Sequence, residues 1–357
     1  MRWILLNPGP VTLSERVREA LGRPDLCHRE QEFAELQDAL RDKLCAVYAL
    51  DPTTWAAVLL TGSGTAAVEA MVTSCVPANG RLLVVENGVY GERMRRIAAA
   101  HAIDCRAVTQ PWGARIDADA VREALAHGGY THVAIVHHET TTGRLNDLEA
   151  IGGLCDEFGA RLLIDGVSSF GAEAIDFSAS PIDACAATAN KCLHGVPGTA
   201  FVIVRRAALA GNAPARTVYL ELADYLAKQD ARGTPFTQSV QTFYALDEAL
   251  DEFFEAGGWT ARQALFRQRM GRIRAHLEGL GVRGLLASAE SSCVLQAFEL
   301  PVGGSYAALH DALKAHGFII YAGQGALSDR IFRISAMGEI ADDDLDRLLA
   351  AFDAFLD

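Results

Sequence analysis

The sequence predicts an α/β fold, with a large domain built on an open, mostly parallel sheet and a smaller α+β domain after it. Three observations lead there. Between residues 55 and 206, short apolar stretches rich in β-branched residues alternate with segments of helical periodicity, the pattern of a sheet with helices on both faces. From about residue 251 the order changes to long helices interleaved with a few strands. At 357 residues the chain is long enough for a large core and a second, smaller one.

Taken in order, "NPGP" (7–10) has two prolines flanking a glycine and rules out regular structure. "LSERVREALG" (13–22) reads as a short helix capped by Ser14 or Thr12, and "EFAELQDALRDKLCAVYAL" (32–50) as a longer one. Then come strand 55–62, helix 65–76, strand 81–87, helix 91–101, strand 131–139, helix 147–158 and strands 160–166, 183–189 and 199–206. Beyond residue 251 lie helix 260–280, strand "SSCVLQAFEL" (291–300), helix 305–317, strands "FIIYAG" (318–323) and "RIFRISAM" (330–337), and a last helix from Ala341. The expected division is an N-terminal arm over 1–20, a large domain over 21–250, and a small C-terminal domain over 251–357 that the arm joins.

Composition narrows the function. Half the residues are hydrophobic and 22% are charged, as in a compact globular protein. A net charge of -13 without a Lys/Arg-rich block argues against nucleic acid and anionic membranes as partners, so an anionic substrate must be captured by local groups. Eight scattered cysteines without a CxxC pair fit a reduced, cytoplasmic setting. "MRWILLNPGPV" has too short an apolar core for a signal peptide, and no window approaches a membrane span.

In open α/β sheets ligands collect at the carboxyl ends of the strands. Standing there are Gly62 to Thr65, Glu86 to Tyr90, His138 to Thr142, Asp165 to Ser168, and Lys191 in the turn joining two buried strands. An ammonium in such a turn is costly to bury, and burial favours the neutral amine that a Schiff-base lysine needs. "LLTGSGTAAVEAM" is a strand, a glycine turn and a helix start, whose N–H groups suit a phosphate. It also matches G-x-G-x-x-A with Glu86 about 20 residues on. That nicotinamide reading leaves Asp165 and Lys191 without a task, whereas pyridoxal 5'-phosphate (PLP) uses all of them: a lysine for the aldehyde, an aspartate for the pyridine nitrogen, a helix start for the phosphate. Each residue alone also has a plain structural reading, Lys191 as a lysine snorkelling to water and Asp165 as a turn former. Strand alternation sends His137 and His138 of "HHETTTG" to opposite faces, so no metal site is expected.

"LLNPGPVTLSERV", "LLTGSGTAAVEAM", "ENGVYGER", "HHETTTG", "IDGVSSFGA", "TANKCLHGVPG" and "FRISAMGEI" together resemble the class V, fold-type I PLP-dependent aminotransferases, and within them the 2-aminoethylphosphonate aminotransferases. The resemblance runs in order over nearly the whole chain. It implies that Lys191 is the Schiff-base lysine and Asp165 the pyridinium partner, with Ser63, Gly64 and Thr65 as the phosphate cup. Thr142 would lie near the ring hydroxyl, Tyr90 and Val167 would cover the two ring faces, and Thr188 and Asn190 would support the phosphate side. Thr237 would reach the cofactor phosphate of a neighbouring subunit, implying a homodimer with shared sites. Arg333 would grip the substrate's anionic group, for which a planar guanidinium offers two parallel hydrogen bonds.

Two departures stand out. Phe236 and Gln238 replace an expected proline and histidine, and "CHREQEF" (27–33) differs from the degradative enzymes, pointing toward the branch associated with phosphonate biosynthesis. Arg29 and His28 of that stretch are candidate further donors to a phosphonate. The implied reaction interconverts 2-aminoethylphosphonate plus pyruvate with phosphonoacetaldehyde plus alanine by ping-pong half-reactions. The residues leave other readings open: a transaminase using alanine or serine with glyoxylate or pyruvate, a lyase of cysteine-desulfurase type with Cys293 as sulfur acceptor, a PLP-binding regulator, disfavoured because no DNA-binding extension precedes the arm, and, last, an NAD dehydrogenase.

Overall fold

A computed structural model describes residues 2–179, 181–211, 215–301 and 303–356. Seven strands form the large sheet: β1 (Trp55–Gly62), β2 (Arg81–Glu86), β3 (Asp104–Thr109), β4 (His132–Val136), β5 (Arg161–Asp165), β6 (Ile182–Thr188) and β7 (Gly198–Arg205). Their order is β1-β7-β6-β5-β4-β2-β3, with β7 antiparallel to both neighbours and the other pairs parallel. The exception has a local cause. The segment 189–197 between β6 and β7 is too short for a crossover, so it returns the chain alongside β6 in the opposite sense.

Among the described residues eleven α-helices accompany the strands: α1 (Glu15–Ala20), α2 (Gln31–Ala46), α3 (Gly64–Cys75), α4 (Val89–Ala100), α5 (Ala118–Gly128), α6 (Leu148–Phe158), α7 (Leu222–Asp230), α8 (Val240–Glu255), α9 (Gly258–Gly279), α10 (Tyr306–Ala315) and α11 (Asp342–Leu356). One sheet face, with Leu59, Ile135, Ile164 and Phe201, packs on α2, α5, α6 and α8. The other, with Val58, Val84, Ala134 and Val202, packs on α3, α4 and α7. Because alternate residues of each strand feed opposite clusters, these strands read as continuous apolar runs. Strand β3 and helices α5, α7 and α8 are additions to the sequence reading. The edge strand β3 is largely exposed, which removes the apolar signal by which its neighbours are recognised.

A third cluster holds the C-terminal part together. There β8 (Leu295–Glu299), β9 (Tyr321–Ala322) and β10 (Ile331–Ser335) pair in the order β8-β10-β9, and Phe298, Phe332 and Ile334 pack with Phe266 of α9, Leu313 of α10 and Phe352 of α11. Ile4, Leu6 and Val11 belong to the same cluster, and Ile4–Leu5 pairs in parallel with Phe318–Ile319. The stretch read as one strand over 318–323 is thus two, the first facing the N-terminal segment and the second β10. Ser14 caps α1 by accepting from Val17 N, while the Thr12 hydroxyl accepts from Leu5 N.

Candidate active site

The strands β1, β2, β4, β5 and β6 run in one sense, so their carboxyl ends, together with the β6–β7 turn, share one edge of the sheet. Asp165 ends β5 and Thr188 ends β6 in the adjacent strand. Asp165 is buried, its Oδ1 accepts from Val167 N at 3.0 Å, and burial pushes its carboxyl up to about 6, against the pull of that N–H and of Arg93 and Lys191. Lys191 is drawn down to about 8, again by burial, with Asp165 opposing and Arg333 and Arg93 reinforcing the shift. A carboxylate and an amine that both lie within reach of neutrality are therefore set at the same edge.

The start of α3 abuts them. Ser63 is its N-cap residue and makes no side-chain cap bond, which leaves the first-turn N–H groups without a side-chain partner from it. A Cβ on Gly64 would stand 2.8 Å from Val167 Cγ1 and 3.5 Å from Thr188 Cβ, so glycine is what lets the helix start approach the ends of β5 and β6. The Thr188 hydroxyl donates to Asn190 Oδ1 (2.8 Å) and to the Thr199 carbonyl (3.2 Å). Ser63, Gly64, Thr65, Val167, Thr188 and Asn190 thus surround one corner beside Asp165.

The segment after β4 closes the other side. Thr142 is buried and its hydroxyl has no hydrogen-bond partner among the described residues; the same holds for Nε2 of His138, whose Nδ1 faces the Ser168 carbonyl at 3.0 Å. His137 points instead to Ser169 Oγ, and burial lowers it to about 4. Arg333, from β10, is buried and held at two points: Nε donates to the Ala322 carbonyl and Nη1 to the Thr140 carbonyl, both at 2.9 Å. No hydrogen bond among the described residues engages its Nη2. Tyr90, at the start of α4, donates its backbone N–H to Glu139 Oε2 at 3.2 Å.

Three residues to which the sequence reading gave no role are drawn in. Glu139 is fully buried, accepts from Thr141 Oγ1 (2.5 Å), Thr141 N (3.1 Å) and Tyr90 N (3.2 Å), and is raised to about 7 by burial. Arg93 donates to Thr65 Oγ1 at 3.2 Å, and its guanidinium lies over the Tyr90 ring, 4.7 Å from the centroid. The spacing of Arg93 from Tyr90, three residues on one helix, was the available signal. Pro8 accepts a hydrogen bond from Lys191 Nζ, and no local signal marks that contact.

Other candidates lie apart. Thr237 is exposed in the loop between α7 and α8. Arg29, also exposed, donates to the Thr234 carbonyl of that same loop at 3.1 Å, and His28 precedes it; within one chain neither is hydrogen-bonded or ion-paired to Arg333. Gln238, one of the departures, is buried, accepting from Thr61 Oγ1 (2.8 Å) and donating to Thr234 Oγ1 (2.9 Å), while Phe236 packs on Tyr219 and Tyr225. Cys293 is buried with its N–H on Glu173 Oε1, and burial raises its thiol, unlike a mobile acceptor thiol.

Comparison with known proteins bears on what such a site does. The aminotransferase class-V family matches residues 15–348. The chain is 38% identical over 363 residues to a 2-aminoethylphosphonate–pyruvate transaminase of Klebsiella pneumoniae, covering 98% of this chain and 97% of that one. It is 35% identical over 359 residues to a protein of the same description from Syntrophobacter fumaroxidans, covering 98% and 95%. Among solved structures, an aspartate aminotransferase of subgroup IV from Thermus thermophilus superposes with a TM-score of 0.90 at 30% identity, covering 99% of each chain. The alanine–glyoxylate aminotransferase of Nostoc superposes with a TM-score of 0.93 at 26% identity, covering 100% of this chain and 96% of that one.

Proposed function

Because the chain belongs to the class-V aminotransferase family, we propose that it is a PLP-dependent transaminase interconverting 2-aminoethylphosphonate plus pyruvate with phosphonoacetaldehyde plus alanine. The observation that carries the reading is that a half-buried amine whose charge is disfavoured, Lys191, and a buried carboxylate, Asp165, stand at the sheet edge where α3 begins.

The residues present fit the cofactor. A phosphate suits the uncapped start of α3 beside Thr65, Thr188 and Asn190, and the unpartnered Thr142 hydroxyl suits a polar ring substituent. Tyr90 and Val167 are the candidates to cover the two ring faces. When bound, PLP supplies an aldehyde that takes up amines and a ring that accepts an electron pair. Asp165 uses Oδ1 for the Val167 N–H, which leaves Oδ2 to hold a proton on a ring nitrogen. Lys191, neutral in an appreciable fraction near pH 8, would serve as the base that takes the proton from the carbon bearing the amine and gives it back on the carbon across the nitrogen, two atoms away. Arg333, fixed by two carbonyls, has Nη2 left for a phosphonate or a carboxylate.

Further parts of the reading concern assembly and setting. The active unit is a homodimer in which Thr237 completes the partner's phosphate site. The contact of Arg29 with the Thr237 loop supports placing Arg29 and His28 in that shared site as well. The chain divides into an arm (1–20), a large domain (21–250) and a small domain (251–357), supported by the packing of Ile4 and Leu6 into the C-terminal cluster. No helix among the described residues is long and apolar enough to cross a membrane; we place the enzyme in the cytoplasm.

The deciding assay compares donors. With pyruvate as acceptor, kcat/KM for 2-aminoethylphosphonate is expected to exceed those for serine and β-alanine at least ~100-fold, since losing a charged hydrogen-bond partner in a desolvated site is worth several kcal/mol. Comparable values for the phosphonate and β-alanine would sink the phosphonate assignment and leave the transaminase reading standing.

A further inference from the structure

We infer that Arg93 is a binding residue for the phosphoryl-type dianion of this site, whether the cofactor's phosphate or the substrate's phosphonate. This rests on the transaminase reading above.

Four observations support it. First, the guanidinium is placed rather than free: Nη1 donates to Thr65 Oγ1 at the first turn of α3, and the plane lies over the Tyr90 ring, a contact that orients arginine while leaving most of its N–H groups available. Second, it has no carboxylate partner among the described residues. The neighbouring acids are engaged elsewhere, Glu86 by Arg95 and Thr109 and Glu92 by the Trp112 indole. Third, its charge is felt at both groups, since it opposes part of the rise that burial imposes on Asp165 and adds to the fall of Lys191. Fourth, Arg93 and Arg333 are two guanidiniums without an ion-paired carboxylate among the described residues, and both act on the charge of Lys191. In a protein of net charge -13 such a pair gives an anion the local attraction that the surface as a whole denies it. An ordinary surface arginine would be exposed; Arg93 is half-buried.

The geometry favours the cofactor phosphate, because the residue that Arg93 touches, Thr65, is at the helix start and not beside Arg333. The test uses cofactor-free wild-type, Arg93→Gln and Arg93→Lys proteins titrated calorimetrically with PLP, with pyridoxal, which lacks the phosphate, and with inorganic phosphate as competitor. The holoenzymes are then assayed with 2-aminoethylphosphonate and with alanine. If the cofactor phosphate is the ligand, Arg93→Gln binds PLP about tenfold to a hundredfold more weakly, binds pyridoxal as before, and loses competition by phosphate, with Arg93→Lys between. If the phosphonate is the ligand, PLP binding is kept and KM for 2-aminoethylphosphonate rises at least ~10-fold while that for alanine moves little. Either result supports the inference and assigns its source. Unchanged values throughout, or PLP and pyridoxal weakened alike, overturn it. Should Arg93→Gln not fold, as judged by its thermal transition, Arg93→Lys carries the same comparison. Failure of the wild-type protein to bind PLP would refute the transaminase reading instead.

Discussion

The amine of Lys191 donates to the carbonyl of Pro8, 183 positions earlier in the chain, and the next residue, Gly9, packs against the lysine's methylenes. The N-terminal segment thereby does more than join the C-terminal cluster. It covers the lysine proposed above as the base of the reaction.

Gly9→Ala tests that contact. Gly9 has φ +107°, where L-residues are strained, and a Cβ there would lie 2.7 Å from Lys191 Cδ. Displacing a reacting group by about 1 Å can cost roughly a hundredfold, so the single-turnover rate of one half-reaction is expected to fall ~10- to 100-fold while PLP is retained. A variant with wild-type rates would show that the arm merely passes by.

Lys191→Ala is expected to abolish turnover yet keep PLP, held by the start of α3 and Asp165. Loss of the general base alone commonly costs ~10²–10⁴-fold, and here the site of attachment goes with it. Cofactor content by absorbance and steady-state rates decide the matter; substantial residual turnover would remove Lys191 from its role.

Asp165→Asn separates function from stability. In the cofactor-free protein burial raises the folded-state carboxyl from 3.8 to about 6, so between those values the folded chain binds the extra proton and stability is lost as pH rises through about 6. The substitution removes that loss. Cofactor-free Asp165→Asn is expected to be more stable than wild type at pH 7.5, by on the order of 2–3 kcal/mol, with the gap closing near pH 4. Half-reaction rates of the loaded variant should fall by orders of magnitude. Denaturant melts at the two pH values, run beside single turnovers, would expose a merely structural aspartate as one whose loss leaves the rates intact.

Arg333→Lys keeps a positive charge but not the fork that spans the Ala322 and Thr140 carbonyls and leaves Nη2 for the proposed substrate anion. KM for both 2-aminoethylphosphonate and pyruvate should rise roughly 10-fold or more, since the two share the anion contact, with a smaller change in kcat. Steady-state kinetics with each substrate varied would tell; unchanged KM values would move the anion site elsewhere.

Mixing Lys191→Ala chains with Thr237→Ala chains tests the shared site. If Thr237 serves the partner, one site of the mixed dimer carries both defects and the other neither, so activity partly returns. Verified mixed dimers without recovery would place Thr237 in its own subunit's site or outside both.

Much of the candidate site was legible because its parts are local. Gly62 to Thr65 at a strand-to-helix turn, Asp165 at a strand end and Lys191 in a tight turn each carry their own pattern of apolar run, punctuation and polar residue, and parallel strands necessarily bring such ends to one edge. The exposed edge strand β3 lacked that pattern and was missed.

What the sequence by itself determined is the alternation that makes the sheet and the residue types standing at its edge, since side-chain period and turn chemistry act over a few residues. What only the tertiary structure decided is which distant groups meet there. Pro8 on Lys191, Arg93 on Thr65, and Arg333 against Thr140 are set by how the arm, α4 and β10 pack. The protonation of Asp165 and Lys191 belongs to the same class. It arises from burial, which is a property of the whole packed chain and is written in no single segment of it.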